Sequence, residues 1–169
     1  MKNIRTLALS SIFMAMLTLL TMYGMIPIAW GYLNLGDALI MVLATILPPS
    51  QIFLIGSFGS AFADIFLGYS QYALFTFFIK GFEGFFVAIL YKRFNHKFKS
   101  SVPFLIAGVW IALGYGLVDA LLYQEIGIGV ASFGINLIQG SVSAFLAIAL
   151  VSVLTPKLSK LYKKYATYE

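Results

Sequence analysis

The chain has 169 residues, of which 61% are hydrophobic and 10% charged, where soluble domains carry about 25% charged; its solvent is a bilayer, and its length suggests one domain spanning 1–169. It has no cysteine, and its one histidine, His96, lies in a basic stretch, which excludes disulfides, thiolate or His-based metal sites and a Ser-His-Asp triad. The formal charge of +5 sits at segment ends, as membrane flanks do, which argues against nucleic acid as a partner.

The first segment runs from about residue 4 to 23. Lys2 and Arg5 ahead of an apolar run look like the start of a signal peptide, but the run to Met25 is long for a signal core and no small-x-small cleavage site follows, so it reads as a retained first span. Ser11 and Ala15 form a small-xxx-small pair that lets another helix approach closely, from this chain or from a partner. The stretch GMIPIAWGYLNLG (24–36) breaks helix at Pro27, Gly31 and Gly36 and reads as a structured outer loop. Its Trp30 and Tyr32 suit either a membrane-interface belt or a lid that covers a ligand with an aromatic ring.

A short second span, about 37–47, starts at Asp37, expected to cap it. Pro48-Pro49 turns the chain, and Ser50 is expected to cap a third span over about 51–67, rich in glycine, serine and alanine. The fourth span covers about 72–91, and the basic stretch KRFNHKFKS follows it. Ser101 and Pro103 open a fifth span, about 103–123, and a sixth covers about 130–154 ahead of a basic tail. The reading is an all-α integral membrane protein with six transmembrane helices. Ten of the eleven Lys and Arg then fall on one side and the opposite loops hold none, so both termini are expected in the cytoplasm.

The eleventh cation is Lys80, inside span four. An ionisable group within a membrane segment is costly unless it is paired or faces a cavity. Glu83 stands three residues on, on the same helical face, and Asp64 ends the preceding span. Lys80 lies about 12 Å deeper than Tyr72 at ~1.5 Å per residue, with Asn136 and Gln139 entering to a similar depth. The expected result is a polar pocket opening outward. Asp64, Glu83, Asn136 and Gln139 would orient a small heterocycle with amino or hydroxyl groups, and Trp30, Tyr32 or Tyr72 would stack on it. The alternative for Lys80 and Glu83 is a structural ion pair that braces the helices.

NLGD (34–37), the small-residue span ending in FAD (62–64) and KGFEG (80–84) resemble the S component, the substrate-binding subunit, of energy-coupling factor (ECF) vitamin transporters. The branch they most resemble is that of riboflavin-type S components, which includes hydroxymethylpyrimidine and pyridoxine carriers. The resemblance spans nearly the whole chain. It implies a multi-pass protein of the prokaryotic plasma membrane that captures a vitamin or vitamin precursor from outside. It adds Asn34, in NLGD, to the ligand-binding candidates. It implies partners in a transmembrane T component, docking on the first helix at Ser11 and Ala15, and two cytoplasmic ATPases. No GxxxxGK[ST] motif occurs here, so ATP is used by partner subunits and the chain carries no cofactor of its own. Two other classes stand beside it. One is a self-sufficient carrier or channel, against which stands the absent inverted repeat. The other is an intramembrane enzyme using Asp64, Lys80 and Glu83, which lacks a recognisable nucleophile-base pair; no catalytic residue is assigned.

Overall fold

The computed structural model describes residues 2–28, 31–94 and 101–166, with 2–3, 25–28, 31–33 and 165–166 described by backbone alone. Its elements are α1 (Lys2–Tyr23), β1 (Met25–Ile28), β2 (Gly31–Asn34), α2 (Gly36–Ala44), α3 (Pro49–Phe66), α4 (Ser70–Arg93), α5 (Val102–Tyr123) and α6 (Ile126–Ala166). Four of the helices, α1, α4, α5 and α6, are long and apolar enough to cross a membrane. α3 has 18 residues. α2 has nine, a rise of only about 14 Å.

The stretch expected as an outer loop forms a β-hairpin. β1 and β2 pair antiparallel, from Met25 opposite Asn34 to Ile28 opposite Gly31. The all-α expectation missed it because Pro27 reads as a breaker, yet proline is tolerated in an edge strand, and a two-stranded sheet has only edges. The hairpin delivers the chain into α2, which is central: every residue of it except Leu39 is buried, and it packs against α4 and α6. Ile40, Met41, Leu43 and Leu47 join Leu17, Ile52, Val87 and Phe104 in one apolar core.

The expected caps are not made. α2 begins one residue before Asp37, α3 begins at Pro49 with Pro48 as its flanking residue, and Ser101 makes no side-chain cap bond. A proline in the first turn starts α3 and α5 instead, where its missing N–H is no loss. α6 continues through Pro156 to Ala166 and so absorbs the basic tail.

Two hairpins of helices build the walls. α3 passes into α4 through a Schellman turn: Tyr69 N–H donates to the Asp64 carbonyl at 2.7 Å and Gly68 N–H to the Ile65 carbonyl at 3.2 Å. Gly68 has φ +85, the left-handed conformation such a turn requires. α5 and α6 meet at Gly108 and Gly140, where a Cβ on Gly108 would lie 2.9 Å from the Gly140 carbonyl carbon.

Side-chain bonds fix the poles of the bundle. Gln51, at the start of α3, donates to Ser10 of α1 at 2.6 Å and accepts from Tyr162 of α6 at 2.8 Å. The start of α1 and the end of α6 therefore share a pole, and Tyr91 and Phe104 rings 5.7 Å apart bring the end of α4 to the start of α5. Arg5, Lys92, Arg93, Lys157 and Lys160 are at this basic pole.

Candidate functional site

The opposite pole holds a cavity of about 440 Å³. It is walled where α1, α3 and α5 end and α4 and α6 begin, by Thr21, Asp64, Tyr69, Tyr72, Asp119 and Ser132 among others. Its deeper residues include Asp37, Thr76, Lys80, Tyr115 and Gln139. Below them the apolar core closes the bundle toward the basic pole.

Lys80 reaches the cavity because α3 lets α4 come close. A Cβ on Gly56 would lie 2.6 Å from the Lys80 carbonyl oxygen, so only glycine permits this approach. The Lys80 ammonium is then held at 2.5 Å from Asp37 Oδ1 and at 3.5 Å from Glu83 Oε2. It also stands 5.3 Å from the centroid of the Tyr115 ring, a cation–π distance. Asp37 is thus the principal partner of Lys80, not the cap of its own helix. Glu83 is fully buried, lies outside the cavity lining, and neither of its oxygens has a hydrogen bond.

Gln139 ties this centre to the hairpin. Its Oε1 accepts from Asn34 N–H at 2.8 Å, and its Nε2 donates to the Asn34 carbonyl at 2.7 Å and to Asp37 Oδ2 at 3.1 Å. The amide binds the end of β2 as a neighbouring strand would. Asn34 uses its own Oδ1 to accept from Gly36 N–H at 2.6 Å, turning the chain into α2.

The upper wall is also paired. Tyr72 donates to Asp119 Oδ1 at 2.6 Å, and the Thr76 and Tyr115 hydroxyls are 3.0 Å apart. Asn136 donates from Nδ2 to the Ser132 carbonyl at 2.9 Å, which leaves its Oδ1 as an acceptor. Asp64 lines the cavity with a buried Oδ2 that has no hydrogen-bond partner.

Of the residues singled out in the sequence, Asn34, Asp64, Tyr72, Lys80, Asn136 and Gln139 line one cavity. Glu83 does not. Trp30 lies outside the described residues, and Tyr32 is described by its backbone alone, in β2. Sequence reasoning left out Asp37, Thr76, Tyr115 and Asp119 as site residues. A signal for three of them was present: Tyr72, Thr76 and Lys80 stand at i, i+4, i+8 on α4, and Tyr115 and Asp119 at i, i+4 on α5, each a polar stripe on an apolar helix. Ser11 and Ala15 lie on the exposed face of α1 with Leu7, Ile12, Met16 and Leu19, while Leu9, Phe13 and Leu17 face the core.

The described residues hold no group of three or more His, Cys, Asp and Glu with metal-binding geometry. The family model for the ECF-type riboflavin transporter S component matches residues 1–156. A Pyrococcus woesei protein described as an uncharacterized protein in gap 3'region is 38% identical over 114 residues, which is 68% of this chain and 76% of that one.

Proposed function

The chain belongs to the ECF-type riboflavin transporter S component family, and from that premise we propose that it captures a small vitamin or vitamin precursor for ATP-driven uptake, with hydroxymethylpyrimidine or pyridoxine as the ligand. As an S component it is a multi-pass membrane protein and the substrate-binding subunit of a transporter, in a family that is not one of enzymes.

The observation that carries the proposal is the cavity itself, polar at its base and set at the pole opposite the basic residues. A volume of about 440 Å³ lies in the range of small-molecule sites, ~300–1,000 Å³, and leaves room for a single-ring heterocycle with its substituents. Charge asymmetry supports an orientation with both termini in the cytoplasm and the cavity opening outward. In that orientation all six helices belong to the membrane domain, with α2 and the hairpin together filling one crossing. Asn34, Asp64, Tyr72, Lys80 and Asn136 are proposed to face the ligand, together with Asp37, Thr76, Tyr115 and Asp119. Gln139, at the cavity base, is proposed to hold Asp37 and the hairpin in place, and Glu83 to support the site from behind. Trp30 and Tyr32 are proposed to cover it.

The partners follow from the same reading: a transmembrane T component against the exposed face of α1, and two cytoplasmic ATPases. The test is reconstitution. The purified chain should bind hydroxymethylpyrimidine or pyridoxine in calorimetric titration and should take neither into vesicles unless the partner subunits and ATP are present. Uptake by the chain alone would instead establish a self-sufficient carrier.

A further inference from the structure

The cavity is unbalanced in its hydrogen-bonding capacity. Most of its strong donors are engaged. The Lys80 ammonium gives one hydrogen bond, to Asp37, and faces Glu83 and the Tyr115 ring. The Gln139 amide donates to Asn34 and Asp37, the Asn136 amide to Ser132, and the Tyr72 hydroxyl to Asp119. Acceptors are left over. Asp64 Oδ2 is buried without a partner, Asp119 accepts through Oδ1 and keeps Oδ2, and Asn136 keeps Oδ1. The hydroxyls of Thr21, Ser60, Tyr69, Thr76, Tyr115 and Ser132 serve either way and do not reverse the balance.

Charge points in the same direction. The chain has six acidic side chains, and four of them, Asp37, Asp64, Glu83 and Asp119, converge on the cavity or on the lysine at its base. Lys80 is the one cation that faces them among the lining residues. An unpaired buried acceptor is unfavourable until a donor reaches it. A ligand with N–H groups supplies that donor, whereas a phosphate or carboxylate brings only more acceptors beside like charge.

We infer that the site selects a donor-rich, neutral or cationic small molecule, places its amino group on Asp64, and rejects the phosphorylated or carboxylated form of the same compound. This deepens the vitamin-capture reading and rests on it.

The experiment is calorimetric titration of the wild-type protein in nanodiscs with three matched pairs. They are hydroxymethylpyrimidine, pyridoxamine and riboflavin, each against its phosphate ester. In every pair that binds, the ester should bind at least about 100-fold more weakly, because juxtaposed like charges disfavour the wrong ligand strongly. Asp64→Asn should weaken the amino-bearing compound about 10- to 150-fold, the worth of a charge-assisted hydrogen bond. Equal affinity for ester and parent overturns the inference, and so does full affinity in a folded Asp64→Asn variant. The wild-type comparison stands even if that variant does not fold. Binding without charge preference sinks the inference and leaves vitamin capture intact; no binding by any of the six compounds removes both.

Discussion

Lys80 of α4 and Asp37 of α2 are joined at 2.5 Å across 43 residues of sequence, and Glu83, three residues from Lys80, is the more distant partner at 3.5 Å. The ammonium is therefore shared between two helices, with Asp37 as its hydrogen-bonded anion. Removing it strands two buried carboxylates. Lys80→Met should lower stability by about 3–5 kcal/mol, the range for breaking a buried pair. Glu83→Gln should be close to neutral, since it removes a buried charge whose oxygens have no hydrogen bond. Denaturant unfolding in detergent checks the ranking; a Glu83→Gln loss as large as that of Lys80→Met would make Glu83 the principal anion.

Gln139 holds the hairpin through both its amide atoms. Gln139→Ala should free the end of β2 by about 1–3 kcal/mol, from two lost hydrogen bonds. Hydrogen exchange should quicken at the Asn34 amide while the apolar half of α6 stays protected. Unchanged exchange at Asn34 would show that the amide does not secure the hairpin.

The crossing of α5 and α6 depends on the absence of side chains at Gly108 and Gly140. Gly108→Val forces the backbones apart and should destabilise the protein by about 1–3 kcal/mol, as overpacking does. Gly134, whose Cβ would meet open space, is the control; Gly134→Ala should leave the melting temperature unchanged or slightly raised, because alanine favours helix.

Ser11 and Ala15 are exposed on α1, so leucine at either position has room in the isolated chain. If the T component docks there, Ser11→Leu or Ala15→Leu should block co-purification with it while ligand still binds. Loss of ligand binding with assembly intact would assign the pair to the chain's own packing.

Much of this was legible in the chain because the bilayer makes polar residues conspicuous. Lys80 inside an apolar run announces a cavity or a pair. The spacing rule named Glu83 as partner, since it sees only neighbours on one helix. Asp37 was hidden by a competing local reading: an aspartate at a helix start looks like a cap, and no local pattern encodes a partner on another helix. The hairpin was hidden by Pro27, and the reach of α6 by Pro156, where packing of Leu158 and Tyr162 against the core outweighs the broken helical bond. Tyr115 and Asp119 were passed over because each is a lone polar residue in an apolar span, and only their i, i+4 spacing places both on one face of α5.

The central claim, that the cavity holds a small molecule, is tested most directly by native mass spectrometry of the protein purified from cells, wild type beside Ala131→Trp. Ala131 lines the cavity with an exposed side chain, so tryptophan there fills space without entering the core. The wild type should carry one bound heterocycle per chain, released on activation and identifiable by mass, and Ala131→Trp should fold and carry none. A wild type that yields no small molecule and binds none on addition of hydroxymethylpyrimidine, pyridoxine or riboflavin, or a variant that retains the ligand in full, would contradict the account.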